Sequence, residues 1–255
     1  MENKGLFLDL NDEEPESIYE LFEKRGWGDG LPLVAPTIER VAETLSHVEA
    51  SEEEVIAVLP PRGGSATYRD VAVNAVLAGC KPEYFPVLVA AVKALGDQRI
   101  NLRGVNTTTH PVAPLVIVHG KAVDELGFNA GLGTFGPGNR ANATIGRAIR
   151  LILMNACGSI PGLFDRTNIG HPGKYTYCIA ENELETHWDP LHVERGFKKE
   201  ENAVTVLAAW EPRQVRSAAD KYAALDSLID VASTLGTSLA NDDSVAGNGS
   251  LVRQG

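Results

Sequence analysis

The run Gly131-Leu-Gly-Thr-Phe-Gly-Pro-Gly138, followed at once by Asn139 and Arg140, has the residue types to hold an anion. Four glycines and a proline in eight residues exclude regular helix or strand and let backbone approach a ligand closely. Asn139 is a good N-cap for the helix that follows, and free N–H groups at a helix N-terminus favour negative charge, as does the helix dipole. Gly136, Gly138, Asn139, Arg140 and Asn142 are therefore the candidate binders of a small anionic substrate. The alternative is a glycine-rich crossover that only lets the helix pack closely. No Gly-Lys-Ser/Thr follows, so this is not a Walker loop. No strand leads into it, so it is no clear dinucleotide fingerprint.

Cys80 is the candidate nucleophile or redox thiol. It stands between two expected helices, at the N-terminus of the second and beside Lys81, where a thiolate is favoured. The competing reading is a small buried hydrophobe, the usual role of a lone cysteine. Cys157 ends a helix, where the dipole disfavours a thiolate, and Cys178 lies in an expected strand. His110, among threonines and before Pro111, has the chemistry of a general acid or base, or is a hydrogen-bonded loop histidine. Asp29, in Arg25-Gly-Trp-Gly-Asp-Gly-Leu-Pro32, is an acid, base or ligand with Trp27 beside it, or a turn-capping aspartate under a tryptophan lid. Glu181-Asn-Glu-Leu-Glu185 and His187-Trp-Asp-Pro-Leu-His192 form the densest set of metal-competent side chains. They match no named zinc spacing, so no residue is assigned as a metal ligand and no cofactor is named. Lys174, after a turn-rich stretch holding Asp165 and His171, is a further candidate for substrate binding.

The elements that must position these groups follow from periodicity. Apolar residues at helical spacing predict helices over residues 11–25, 36–46, 67–78, 81–95, 139–157 and 217–239. In the fifth of these, Arg140, Arg147 and Arg150 share roughly one side. Apolar runs predict strands near 55–59, 114–119, 174–180 and 203–209, with another beginning at Leu251-Val252. The fold class is α/β, a mixed sheet covered by helices, with a helical N-terminal lobe. The domain reading is 1–50 for the lobe, 51–240 for the α/β core and 241–255 for a C-terminal tail, truncated or completed by a protein partner. The loop around Trp27 and Asp29 is expected to share one pocket with Ala180 to Glu183.

At 255 residues and 44% hydrophobic, the chain can bury a full core. A formal net charge of −11 argues against a general nucleic-acid surface, so an anion site needs local arginines. Met1 to Leu10 lacks the pattern of a secretory signal, no run reaches the length of a membrane span, and three cysteines at no metal-like spacing suggest reduced thiols. The expectation is a cytoplasmic oligomer with no nucleic-acid or membrane partner.

The segments Trp27-Gly-Asp-Gly-Leu-Pro32, Ala75-Val-Leu-Ala-Gly-Cys-Lys-Pro-Glu-Tyr84, Gly136-Pro-Gly-Asn-Arg-Ala-Asn-Ala-Thr-Ile-Gly-Arg147, Pro172-Gly-Lys-Tyr175, Ala180-Glu-Asn-Glu183 and Pro190-Leu-His-Val-Glu-Arg-Gly196 resemble those of a poorly characterised bacterial family associated with UGSC-motif (seleno)proteins. The resemblance spans most of the chain to about residue 196. It implies thiol or selenol redox chemistry, and a further strand and helix beyond residue 255. Cys157-Gly-Ser-Ile stands where this chain departs from the motif itself.

The leading expectation is an enzyme, an oxidoreductase or lyase. It acts on a small anionic substrate by thiol-assisted chemistry through Cys80, with His110, Asp29, Glu181 and Glu183 as proton carriers and Trp27, Lys174, Arg140 and the glycine loop holding the substrate. The alternatives are a metal-dependent hydrolase or lyase using the Glu181–His192 cluster, and a non-catalytic subunit of a heteromeric enzyme.

Overall fold

Strand β3 (Ala113–His119) is the centre of the fold, and its alternating side chains build both faces of a sheet. The structure, a computed structural model, describes residues 15–212 and 250–253. The sheet has four strands in the order β4 (Cys178–Ala180), β3, β5 (Ala203–Ala209), β6 (Ser250–Arg253). β4 runs parallel to β3, whereas β5 is antiparallel to both β3 and β6. The fold is α/β with a mixed sheet, as expected.

One face carries Val116, Val118, Cys178, Ala180, Val204 and Val206 and joins the main apolar core. The other carries Ala113, Leu115 and Tyr177, packed with Ile117, Ile179 and Ala209. By the same alternation, His119, Glu181 and Thr205 belong to this second face.

Helices α3 (Tyr68–Ala78), α4 (Phe85–Leu95) and α7 (Arg140–Asn155) supply most of the core, and the short α5 (Leu102–Thr107) and α6 (Ala122–Glu125) come between the last two in the chain. α3 begins with a capping box, in which Thr67 accepts the Asp70 N–H and the Asp70 carboxylate accepts the Thr67 N–H. It stops at Gly79, whose φ of 84° suits glycine. α4 is apolar nearly all round and packs on β5, as a helix buried on most sides must. α7 is capped by Asn139, which accepts the Asn142 N–H, and it packs on β4. Gly146 makes that approach possible. A Cβ there would stand 2.4 Å from Thr176 Oγ1 and 2.5 Å from the Tyr177 nitrogen. α1 (Pro15–Arg25) and α2 (Ile38–Leu45) place Ile18, Phe22 and Val41 in the same core.

Two expectations change. Residues 55–59 form β1 (Val55–Leu59), which pairs with β2 (Gly64–Thr67) in a separate hairpin and not with the main sheet. The exposed Val55 and Val58 show that this strand is not covered on both sides. The strand expected over 174–180 is only Cys178–Ala180, because Pro172–Lys174 form a turn of 3-10 helix. The helix expected over 217–239 lies outside the described residues. Among the described residues, no helix is long and apolar enough to cross a membrane.

Candidate functional site

β3 ends at His119 and its parallel neighbour β4 ends at Ala180. Val118 pairs with Ala180, so the next residues, His119 and Glu181, emerge together at the carboxyl ends of the two strands. In open α/β sheets, the crevice outside the carboxyl ends of parallel strands is where ligands bind. His119 Nδ1 lies 2.6 Å from Glu181 Oε2, and its Nε2 lies 2.8 Å from Thr205 Oγ1 on β5. The Leu191 N–H donates to Glu181 at 3.0 Å. Burial alone would push the Glu181 carboxyl up, but the hydrogen bonds from His119 and Leu191 outweigh it and hold it below its ordinary value.

Two further groups close the cluster. Glu183 Oε1 accepts the Gly120 N–H at 2.7 Å. His192, on the short helix α8 (Leu191–Glu194), brings Nδ1 to 3.6 Å from the same oxygen. Both histidines are 0% exposed, and neither ring nitrogen of His192 has a hydrogen-bond partner. Leaving a buried polar group unsatisfied costs about 1–3 kcal/mol, so the arrangement calls for a ligand. One donor atom from each of His119, Glu181, Glu183 and His192 lies within 4.8 Å of the others. Two imidazoles with two carboxylates suit a first-row divalent ion such as zinc, manganese or iron.

A cleft of about 570 Å³ opens beside the cluster. Glu181 and Glu183 line it, while both imidazoles are buried. Its lining also holds Asp124, Glu185 and Glu200 against Lys121 and Lys199, which makes five carboxylates to two lysines. That field favours a cation over a small anion.

A second cavity, of about 730 Å³, lies near the opposite end of β4 and is lined by Asp29, Arg150, Asp165 and Lys174. Arg147 grips Asp29 with two bonds of 2.7 and 2.8 Å and also donates to the carbonyls of Leu31 and Pro32. Arg150 and Lys174 both reach Asp165, at 3.2 and 2.8 Å. Burial raises Asp165, but Lys174 and Thr167 donate to it and hold it below its ordinary value. Burial pushes Lys174 down, and a carboxylate it must share with Arg150 does not restore it.

These positions revise the sequence reading. Asp29 and Lys174 line one cavity, and Glu181 and Glu183 line another, so the loop of Trp27 and Asp29 does not share a pocket with Ala180–Glu183. Trp27 packs on Phe22 with Arg25 over its ring, which is a covering role. The glycine loop is stapled from within. Asn142 accepts the Asn129 N–H and donates to the carbonyls of Asn129 and Thr134, while Asn139 donates to the Gly127 carbonyl. The polar groups of Asn139 and Asn142 are thus spent on the loop itself. Gly136 and Gly138 are exposed, and neither lines either cavity. Arg140 donates to the Gly79 carbonyl and lines neither of these two cavities.

Cys80 is partly buried, and desolvation pushes its thiol up to about 12 despite Thr144, Arg140 and Arg147 nearby. The expected lowering by the helix N-terminus is overturned, because a thiolate there would lose more water than the local dipoles return. Its hydrogen-bond and charge partners include none of His110, Glu181 or Glu183. His110 Nδ1 lies instead 3.0 Å from Thr108 Oγ1, with its ring against Trp210. Cys157 is pushed up to about 12 by burial, and Cys178 is raised for the same reason.

His119, Thr205 and the Arg150–Asp165 pair escape the sequence reading. A histidine closing an apolar strand, with another strand ending just before a glutamate, is the signal that points to the cluster. Comparison with protein-family models, with curated proteins and with solved structures gives no match, so the functional reading rests on the geometry alone.

Proposed function

We propose that this chain is a metal-dependent enzyme, a hydrolase or lyase acting on a small molecule that enters the cleft beside His119, Glu181, Glu183 and His192. The observation that carries the reading is His192: a fully buried imidazole with no hydrogen bond at either nitrogen, facing Glu183 within a four-residue donor set. A bound divalent ion would polarise a substrate oxygen and lower the pKa of bound water toward about 7. Glu183, held by the Gly120 N–H at the edge of the cleft, is positioned to take a proton from water or substrate. His119 is oriented by Thr205 and backs Glu181 from the buried side. The raised thiols support this reading over thiol-assisted chemistry, because little thiolate forms near neutral pH.

The test is elemental analysis of protein purified without added metal, followed by cobalt(II) titration read by visible absorption. About one equivalent of a transition metal is expected, lost in His192→Ala and retained in Cys80→Ser. Absence of metal as purified, together with no saturable cobalt(II) spectrum, sinks the proposal.

A further inference from the structure

Four buried charged groups line the second cavity, Asp29 and Asp165 with Arg150 and Lys174, and a fifth, Arg147, joins them through Asp29. Arg147 and Asp29 neutralise each other in a two-bond pair. Arg150 and Lys174 share a single carboxylate, Asp165. Among the described residues these five groups therefore leave one surplus positive charge. Their side chains are all buried or nearly so, at 3% to 15% exposure. A buried, under-neutralised cation is costly unless an anion is supplied. Donor capacity is left over as well. Both recorded bonds of Arg150 use Nη2, to Ser159 O and to Asp165, and the Lys174 ammonium has three protons with only Asp165 as recorded acceptor. Beyond these charges the lining holds Met154 and, at the exposed rim, Ile169 and Tyr175, apolar surface for the body of a ligand.

We propose that this cavity binds a small organic monocarboxylate, its carboxylate held by Arg150 and Lys174 opposite Asp165 and its apolar body against Met154, Ile169 and Tyr175. An arginine and a lysine meeting one carboxylate give charge-assisted bonds, stronger than neutral ones. Burial, with Arg150 alongside, pushes Lys174 down despite its bond to Asp165. This site is separate from the His and Glu cluster, since Lys174 precedes β4 and Glu181 follows it. The expected small anion thus has a place in the fold away from the glycine loop.

Isothermal titration at fixed ionic strength with benzoate, benzamide and inorganic phosphate tests it. Saturable binding of benzoate is expected, with none for benzamide and weaker binding of phosphate. Lys174→Met weakens benzoate about tenfold or more by removing one charged partner. Asp165→Asn, which keeps the shape but removes the competing charge, tightens benzoate about tenfold. That gain is not expected if the trio is only a structural ion pair, and it remains readable if Lys174→Met fails to fold. Protein stripped of metal with the neutral chelator phenanthroline keeps its benzoate affinity, so this site and the metal reading can fail independently. No saturable benzoate binding, equal binding of benzamide, preference for phosphate, or weaker binding in Asp165→Asn overturns the proposal.

Discussion

His119 and Glu181 are 62 residues apart in sequence and 2.6 Å apart in space, each at the carboxyl end of one of two parallel strands. The pair is a direct product of register. Val118 is opposite Ala180, and one residue further on both chains turn a titratable side chain to the same face. A slip of one residue would put an alanine where the glutamate stands.

Thr205 sets the orientation of His119. If His119 ligates through Nδ1, its Nε2–H donates to Thr205 Oγ1, and that bond fixes the tautomer. Thr205→Val keeps the shape and removes the acceptor. Cobalt(II) affinity is expected to fall about 10- to 100-fold with the far-ultraviolet circular dichroism unchanged. Unaltered affinity would remove Thr205 from the site.

Gly146 is required by packing and not by backbone angle. Alanine would ordinarily help a helix interior by about 1 kcal/mol. Here its Cβ would collide with Thr176 Oγ1 and the Tyr177 nitrogen, and overpacking of this kind costs about 1–3 kcal/mol. Gly146→Ala should lower the urea midpoint with little change in slope. A midpoint at or above the wild-type value would mean that α7 and the run into β4 can separate freely.

The thiols should be slow. Burial raises Cys80 and Cys157 to about 12, well above the ~8.5 of a free cysteine. Iodoacetamide at pH 7.5, read by peptide mass spectrometry, should modify all three cysteines far more slowly in folded protein than in urea. Cys80, partly buried, should lead the two buried ones. Fast labelling of Cys80 in the folded protein would restore it as a candidate nucleophile.

Asp165 links the second cavity to pH. Its folded value lies below the ordinary 3.8, so its ionised form stabilises the fold. That contribution is fully present above about pH 4 and is lost as pH falls through the depressed folded value, because only the unfolded chain takes up the proton in between. Urea unfolding at pH 6 and pH 3.5 should show wild type losing more stability on acidification than Asp165→Asn. Equal losses would show that Asp165 is not held as an ion pair in solution.

Much of the secondary structure was legible locally. The N-caps Thr67 and Asn139, the stop at Gly79, the apolar strand ending at His119 and the glycine loop before α7 are all decided by residues a few positions apart, which is the range over which capping, turn chemistry and periodicity act. Asp29, Lys174, Glu181 and Glu183 were visible as candidates for the same reason: charged groups in turn-rich segments with no core to fill. Only tertiary structure decided their partners. It divided them between two cavities, added His119 and Thr205 through strand register, and turned Arg147 and Arg150 inward onto aspartates. It also set burial against the helix N-terminus at Cys80. A helix N-terminus can be read from sequence, but the loss of water around a thiol depends on what packs over it, and here desolvation is the larger effect.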